Sequence, residues 1–536
     1  MNKKIVLKGL LVLFIMFLFF SFLEGEQETR IKREWLIEDV RQLADIIETS
    51  HPDPYSHGGG RIKFHYRLHR LLNMIPKNGM TKDEFIKLLR PFMAAIGDQH
   101  TSIYTDYSLS GSAPGGLPYV FGVVERNLYI QVPFLESDLM YYGSILVSVE
   151  DVPVTELIER FTKLEGCEND YFALRQFSRN NLLFEPYLHE LLPEWTERNK
   201  ISFELKRPSG QIETLTRTLP IEIKPPLHFT KSIIDLPETD DSGFLCDFID
   251  PLKKGEDTAY LRVDHMSGYR EAHDMSVAEG TESYSEEELK SFPSATEGFR
   301  AFVQDMKKKN SHTLIIDLRR NGGGNYMMAP ILIYFLYGKD VLTSMPKKTA
   351  ESVGGHGKRY SDLYFQTHPN VTLKSINQGR DVVLMNGDID FSQIFADTVE
   401  RKDEAGRLLE NPERLKRYRS ASTFYAEYQA EDYSGYYCPK NVVVLMTPWT
   451  SSSGLDMALF LWRAGASLVG TPSAQSPNSW GELLEWQLNH SGIKGEVSSA
   501  FDIAFGDDPE RGRRVDLQRE DVRVLGELGR GGVRVR

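Results

Sequence analysis

The order of apolar and polar positions gives the first part of the chain a helical character. Over residues 33–49, apolar side chains recur every three or four positions, and residues 64–75 repeat this spacing. Thr81 and Glu84 form a capping-box pair, which predicts the start of a third helix that ends at Gly97. The sequence therefore predicts an N-terminal helical region.

From residue 117 the apolar positions alternate with polar ones, as they do in strands. The segments YVFGVV and LYIQV predict one hairpin, and ISFELKR and ETLTRTL on either side of Pro-Ser-Gly predict another. Residues 143–154 predict a strand, a turn and a second strand, and residues 155–164 a helix. Pro225-Pro226 and the acidic stretch 238–241 have the composition of a linker. The middle of the chain is therefore predicted to be a β-rich module of ordinary domain size.

In the remainder of the chain, predicted strands alternate with predicted helices. The strands are expected at residues 258–266, 312–318, 381–385 and 442–446, and the helices at residues 295–308, 326–337 and from 454 onward. This order favours an α/β core with a largely parallel sheet. Residues 391–437 are charged, aromatic and mostly of helical pattern, which fits either a lid over a site or a solvated surface helix.

Length and these patterns together divide the chain, because 536 residues are too many for one ordinary domain. The predicted divisions are a signal peptide or membrane anchor at 1–24, a helical region at 25–114, the β-rich module at 115–225, the α/β core at 226–515 and a tail at 516–536. The tail is rich in glycine and arginine and has the composition of a disordered segment.

The first residues resemble an export segment. Lys3 and Lys4 precede an almost wholly apolar stretch over residues 9–23. Leu23 and Glu24 stand where a cleavage site needs small residues, yet the stretch is short for a membrane span. Both a cleaved signal and a retained anchor fit this pattern. Either one places the body of the protein outside the cytoplasm, secreted or attached to the membrane by its N-terminus.

Charge and cysteine content exclude several classes of function. The net charge is −13, which argues against nucleic acid as a partner. Cys167, Cys246 and Cys438 lie too far apart in sequence for a metal-binding spacing, and three cysteines allow at most one disulfide. No HExxH pattern, phosphate-binding lysine loop or dinucleotide fingerprint is present.

Two loops carry the candidate chemistry. TLIIDLRRNGGGN (313–325) is an apolar run that leads into three glycines, which can turn backbone N–H groups toward a ligand. NVVVLMTPWTSSSG (441–454) leads into a serine cluster at the start of a helix, where the helix dipole favours developing negative charge. An oxyanion-binding loop and a nucleophile loop together indicate acyl transfer. Taken singly, the serines could be simple helix caps and the glycines a simple turn.

These loops resemble those of the carboxy-terminal-processing (tail-specific) serine peptidases and their tricorn-core relatives. DLRRNGGG and TSSSG carry the likeness, and the LVGTPS and PNSWGE segments and GDQHT (97–101) extend it. GSILVSVEDVPV (143–154) is similar to part of the PDZ-like modules of that family. No GxSxG elbow occurs, which argues against an α/β-hydrolase.

The resemblance implies an α/β, crotonase- and ClpP-like catalytic core beside a PDZ-like middle module. It places the nucleophile at Ser452, chosen over its serine neighbours by the spacing to Gly465. It also implies that the backbone N–H groups of Gly323 and Ser453 form the oxyanion hole.

The general base is where the sequence departs from the tail-specific pattern. The segment 471–476, TPSAQS, has no lysine where that family places one. Tricorn-like members use a histidine from an N-terminal segment similar to GDQHTS, which makes His100 the candidate base; a role for His100 as a structural loop residue stays open. Glu482 and Glu520 are candidates for the residue that orients the imidazole.

The sequence thus predicts an exported serine endopeptidase that needs no metal or cofactor and cleaves unfolded or extended protein segments. The alternative is a catalytically silent peptide- or lipid-binding scaffold with the peptidase fold, which the missing lysine keeps open. An esterase that acts on small acyl groups is a third reading.

Overall fold

The computed structural model describes residues 30–104, 117–178, 185–197, 199–219, 239–249, 257–279, 282–342, 355–378, 380, 382–390, 435–506, 508–514 and 517. The predicted signal or anchor at 1–24, residues 391–434 of the predicted lid and nearly all of the tail at 516–536 lie outside these residues. Among the helices described, none is both long enough and apolar enough to cross a membrane.

The strands are β1 (Ser102–Ile103), β2 (Tyr119–Val124), β3 (Asn127–Pro133), β4 (Ile145–Val149), β5 (Val152–Pro153), β6 (Lys200–Lys206), β7 (Ile212–Thr218), β8 (Phe244–Ile249), β9 (Thr258–Val263), β10 (Thr313–Asp317), β11 (Gly355–Arg359), β12 (Ile389–Asp390), β13 (Asn441–Met446), β14 (Ser467–Gly470), β15 (Ser479–Gln487) and β16 (Lys494–Ile503). The helices are α1 (Arg33–Ser50), α2 (Arg61–Met74), α3 (Lys82–Ala94), α4 (Val154–Phe161), α5 (Asp170–Ser178), α6 (Glu185–Leu191), α7 (Arg270–Glu279), α8 (Glu286–Ser291), α9 (Ala295–Lys309), α10 (Met328–Tyr337), α11 (Asp362–Thr367), α12 (Leu373–Ile376), α13 (Ser453–Arg463) and α14 (Pro509–Arg513).

A five-stranded sheet in the order β14-β13-β10-β9-β8 forms the centre of the α/β core. Its first four strands are parallel, and only β8 is antiparallel to its neighbour β9. Alternate residues such as Leu314 and Ile316 belong to the large core that includes α9, α10 and α13, whereas Ile315 belongs to a smaller cluster on the other face. The strands are apolar on both faces because both faces are covered, as is usual for parallel sheets.

The middle module is an antiparallel sheet in the order β2-β3-β4-β6-β7, with β5 paired to β4. The tight turn between β2 and β3 consists of Glu125 and Arg126, both with positive φ, as a two-residue hairpin turn requires. This module has its own hydrophobic core, which also takes in Ala474 from the α/β part. The module is therefore packed against the loop that follows β14.

A third, antiparallel sheet joins the N-terminal helices to the α/β part. β1 pairs with β16, which also pairs with β11 and β15. Helices α1–α3 share a core with Leu484, Trp486 and Val497 of this sheet. The Thr81–Glu84 capping box is present in full at the start of α3. Since β1 begins two residues after His100, this pairing fixes where the GDQHT loop lies.

The α/β class, the two hairpins of the middle module and most predicted elements agree with the structure. The strand predicted at 381–385 is wrong: described residues 382–385 form no strand, and the nearby strand is β12. Val382, Val383 and Met385 are mostly exposed. Their apolar run resembled a buried strand in sequence, but it pairs with no strand among the residues that the structure describes.

Candidate active site

Ser452 lies at the junction between β13 and α13, as its N-cap residue. Its hydroxyl makes no capping hydrogen bond and has no hydrogen-bond partner among the described residues. Its backbone has φ 51° and ψ −135°, a conformation that typically costs a non-glycine residue about 1–3 kcal/mol and is concentrated at functional sites. The half-buried hydroxyl is thus not a helix cap and is available for chemistry.

The loop that carries Ser452 is tied to the loop after β10. The Ser451 N–H donates to the Asn321 carbonyl at 3.0 Å, and the Thr450 hydroxyl donates to the Leu318 carbonyl at 2.8 Å. The two loops meet because β10 and β13 are adjacent parallel strands, whose carboxyl ends lie at the same edge of the sheet. The sequence-predicted pairing of the glycine loop with the serine loop is therefore present.

Gly323 packs directly against Ser452. Its φ is +108°, and a Cβ atom at this position would lie 2.6 Å from Ser452 Cβ and 3.0 Å from Ser452 Oγ. Any other residue would collide with the nucleophile loop and would also be strained in its own backbone. The glycine is thus required by close approach.

The predicted oxyanion donors differ in their hydrogen bonding. The Gly323 N–H donates to the side-chain Oδ1 of Asn321 at 2.8 Å and is therefore already bonded in this structure. The Ser453 N–H, at the first position of α13, has no acceptor among the described residues, while the Ser453 hydroxyl donates to the Gly324 carbonyl at 2.7 Å. Ser453 thus presents the free N–H that its predicted role needs, and Gly323 does not.

His100 lies in the loop between α3 and β1, beside two carboxylates. Its Nδ1 is 3.7 Å from Asp98 Oδ1 and 4.0 Å from Glu168 Oε1. About a fifth of the side chain is exposed, but Nδ1 itself is buried without a hydrogen bond. Acceptors on the Nδ1 side favour the tautomer with its proton on Nδ1, which leaves the Nε2 lone pair to act as a base.

Asp98 organises this loop. Its carboxylate is fully buried and accepts hydrogen bonds from the His100 N–H at 2.8 Å, the Thr101 hydroxyl at 2.5 Å and the Ser498 hydroxyl at 2.7 Å. His51 Nε2 lies 3.3 Å from its other side. Burial works against the ionised form, but the neighbouring imidazoles of His100 and His51 hold the pKa of Asp98 well below its usual range.

The electrostatic environment of His100 favours its protonated form. Burial lowers the pKa of the imidazole, but the nearby carboxylate of Asp98, together with the charges of Glu168 and Glu496, outweighs burial and raises it. Burial raises the pKa of Glu168 to about 8. The pKa values of His100 and Glu168 are thus both raised, and the two neighbouring groups influence each other's ionisation.

Glu482 is placed elsewhere. Its carboxylate forms a salt bridge with Lys358 at 2.5 Å and lies 4.0 Å from His368. It is not paired with His100, whose Nδ1 instead faces Asp98 and Glu168. Glu520, the other candidate for the orienting role, lies outside the described residues.

Ser452 and His100 are linked only indirectly, through other residues that lie between them. No hydrogen bond joins Ser452 Oγ to the imidazole in the structure. The Ser452 N–H donates to Gln475 Oε1, and the neighbouring Ser476 N–H donates to Glu168 Oε2 at 2.7 Å. The base loop and the nucleophile loop thus belong to one hydrogen-bonded region, whereas the proton transfer between Ser452 and His100 stays a prediction.

One group of side chains near the base has the ligand types of a metal site. Potential ligand atoms of Asp98, His100 and Glu168 all lie within 4.8 Å of one another. The Asp98 oxygens already accept hydrogen bonds from a backbone N–H and two hydroxyls. This satisfied carboxylate suits the orientation of an imidazole better than the binding of a cation.

Three residues of this region were not singled out from the sequence. Asp98 is part of the GDQHT segment but gave no signal of its own. Gln475 lies in the TPSAQS segment, where the tail-specific pattern has a lysine. Glu168 had no local signal, because its partners lie more than 60 positions away in either direction.

Comparison with known proteins decides the family. Residues 257–484 match the sequence model of Peptidase family S41. These residues form a family S41 serine peptidase domain. The predicted resemblance is therefore confirmed, and so is the enzyme class of serine peptidases. His100, Asp98 and Glu168 all precede the matched segment, so the base and its partners come from outside it.

Solved structures give the same fold. Mature CPAF superposes with a TM-score of 0.54 at 14% identity, over 94% of this chain and 99% of that chain. CPAF complexed with lactacystin gives 0.54 at 13%, over 92% and 96%. The photosystem II D1 C-terminal processing protease gives a TM-score of 0.37 at 12% identity, over 91% of this chain and 92% of that chain. No curated protein matches the chain.

Proposed function

We propose that this protein is a serine endopeptidase that hydrolyses peptide bonds through an acyl-enzyme on Ser452. The observation that carries the proposal is the Ser452 hydroxyl: it sits uncapped and strained at the start of α13, against Gly323, within a family S41 domain. Strained backbone of this kind is typical of nucleophiles held ready for attack.

In the proposed reaction Ser452 Oγ attacks the peptide carbonyl while His100 Nε2 takes its proton. The Ser453 N–H donates to the oxyanion, a contribution commonly worth about 3–4 kcal/mol for one donor. His100 then returns the proton to the leaving amine, and water hydrolyses the acyl-enzyme. The negative charge of Asp98, whose Oδ1 lies 3.7 Å from Nδ1, favours the tautomer that leaves Nε2 free to accept.

For this reaction His100 Nε2 must come within hydrogen-bond reach of Ser452 Oγ. Catalytic hydrogen bonds are often long without substrate and tighten when substrate binds. The Gly323 N–H can serve as a second donor only if Asn321 Oδ1 releases it. We include both rearrangements in the proposal.

We further propose that the α/β part is a crotonase- and ClpP-like core, and that the middle module is PDZ-like and receives extended substrate segments by β-addition. From residues 1–24 we propose action outside the cytoplasm, either secreted or attached to the membrane.

A catalytically silent peptide- or lipid-binding scaffold is the second candidate. Two observations favour it: the bonded Gly323 N–H and the absence of a Ser452–His100 hydrogen bond. In such a protein the fold would serve for binding alone.

Labelling with a fluorophosphonate probe tests the proposal. We expect the wild type to be labelled at Ser452 and Ser452→Ala to be unlabelled, with Ser451→Ala as the matched control that keeps its labelling. Folded wild-type protein that is not labelled but binds peptide or lipid would favour the scaffold. Turnover of nitrophenyl esters without cleavage of an unfolded protein would favour an esterase. Because a solved protein of this fold is complexed with lactacystin, competition by lactacystin is a second probe.

A further inference from the structure

The segment between α4 and α5 of the middle module reaches the base loop. A Cβ atom on Gly166 would lie 2.3 Å from the Asp98 carbonyl, so the two backbones are in direct contact. Two residues later Glu168 has a side chain only 4% exposed. Asn169 Nδ2 donates to the carbonyls of Ser473 and Arg513, both at 3.2 Å. This segment therefore packs between the loop that carries Asp98 and His100 and the loop that follows β14.

The two oxygens of Glu168 face different parts of the site. Oε2 accepts the Ser476 N–H at 2.7 Å. Oε1 lies 4.0 Å from His100 Nδ1, and both of these atoms are buried without a hydrogen-bond partner. Burial of a carboxylate oxygen that has no hydrogen-bond partner is unfavourable. The candidate partner beside it is His100 Nδ1, which also lacks a hydrogen bond. We therefore infer that a small shift would let these two atoms form a hydrogen bond with each other.

Ser476, which is hydrogen-bonded to Glu168, belongs to a loop that also contacts the nucleophile loop. Gln475 accepts the Ser452 N–H, and the Ser473 hydroxyl donates to the Thr450 carbonyl at 2.5 Å. Between them Ala474 is fully buried in the core of the middle module. One carboxylate is thus linked on one side to the base and on the other to the loop that fixes Ser452.

We propose that Glu168 is a positioning residue that couples the catalytic base to the nucleophile loop: Oε1 accepts the Nδ1–H of His100, and Oε2 keeps the loop of Gln475 in place. This inference rests on the proposed function, because it concerns the same reaction.

The contact matters most when His100 is charged. As Nε2 takes the proton of Ser452, the imidazole becomes a cation. The new positive charge next to Glu168 favours loss of the proton that burial, by raising the pKa to about 8, holds on this carboxyl group, and the ionised carboxylate then stabilises the cation. The other ionisable groups near the imidazole are Asp98 and Glu496, with His51 on the far side of Asp98. Asp98 and Glu496 attract the same positive charge, so Glu168 strengthens their effect and adds the link to Ser452.

Substitutions at Glu168 separate the two contacts. Glu168→Gln keeps an oxygen for the Ser476 N–H but has no charge, whereas Glu168→Ala loses both contacts. Glu165→Gln is the matched control, since Glu165 is a partly buried carboxylate of the same segment that pairs with Arg90 instead of His100. The readouts are the rate of fluorophosphonate labelling against pH and the titration of His100 by NMR.

We expect Glu168→Ala to lower the labelling rate by roughly 10- to 100-fold, as misplacement of catalytic groups does. Glu168→Gln should lower the rate less, and should move both the acid limb of labelling and the titration of His100 to lower pH, since a negative neighbour raises the pKa of an imidazole. Glu165→Gln should leave the limb and the titration at their wild-type positions.

An unchanged His100 titration in Glu168→Gln would overturn the proposed contact, whether or not the protein is labelled. Wild-type labelling rates in folded Glu168→Ala would overturn the coupling while leaving the peptidase proposal intact. A wild-type protein that is not labelled at all would overturn the peptidase proposal, and with it the catalytic part of this inference.

Discussion

Gly323 lies so close to Ser452 that a side chain at position 323 would occupy the space of the serine: an added Cβ atom would be 2.6 Å from Ser452 Cβ. The absence of a side chain at Gly323 therefore leaves room for Ser452. Its N–H group is bonded to Asn321 Oδ1, so the steric role is the one that the resting structure displays.

This relationship predicts that Gly323→Ala loses activity. The added methyl group must displace Ser452 or its loop, and a shift of about 1 Å at a nucleophile can lower the rate by roughly 100-fold. The labelling rate with a fluorophosphonate measures the effect. Gly322→Ala is the control, because a Cβ atom there meets nothing within 4 Å. Equal rates in the two variants would contradict the close-approach argument.

The charge of Asp98 predicts the pH dependence of the enzyme. His100 must be neutral to act as a base, and its pKa is raised, so activity should increase with pH through a midpoint above the ordinary value of about 6.5. Asp98→Asn removes a charge that raises this pKa, so the midpoint should move to lower pH. The pH profile of kcat/KM on an extended peptide measures it.

Asp98→Asn should also be less stable, by about 3 kcal/mol, because a buried carboxylate with imidazole partners is replaced by a neutral group. The profile is therefore recorded at a temperature where circular dichroism shows the variant to be folded. A midpoint that does not move in folded protein would mean that Asp98 does not act on the base.

Substitution of Glu482 should affect His100 differently from substitution of Asp98. Glu482 pairs with Lys358, and both side chains are about a quarter exposed. Glu482→Gln should cost at most about 1 kcal/mol of unfolding free energy, as a partly exposed ion pair does, and should leave the acid limb in place. Urea denaturation and the kcat/KM profile check the two effects. A limb that moves as in Asp98→Asn would restore Glu482 as the orienting residue.

Gln475 is predicted to hold the backbone of the nucleophile. Gln475→Ala removes the acceptor of the Ser452 N–H, and a hydrogen bond of about 1 kcal/mol corresponds to a several-fold lower labelling rate. Ser479→Ala is the control: it removes the hydroxyl that receives the Gln475 amide at 2.9 Å but leaves the acceptor for Ser452. A larger effect from Ser479→Ala than from Gln475→Ala would exclude this role.

Local sequence patterns were sufficient to predict the helices and strands that carry the site residues. The Thr81–Glu84 capping box starts α3 as predicted, and the strand-loop-helix pattern around Ser452 is present as β13 and α13. Each of these signals lies within a few residues of the structure that it specifies. The strand expected at 381–385 failed because an apolar run does not reveal whether a partner strand stands beside it.

The sequence by itself determined the α/β class, the family and the residue types of the two loops, because these depend on short-range periodicity and on contiguous motifs. Only the tertiary structure decided that Asp98 and Glu168 face His100, that Glu482 pairs with Lys358, and that the Gly323 N–H is bonded to Asn321. Ser476 and Glu168 are 308 positions apart. Such contacts depend on how whole elements pack, and a side chain carries no local signal of the partner that packing brings to it.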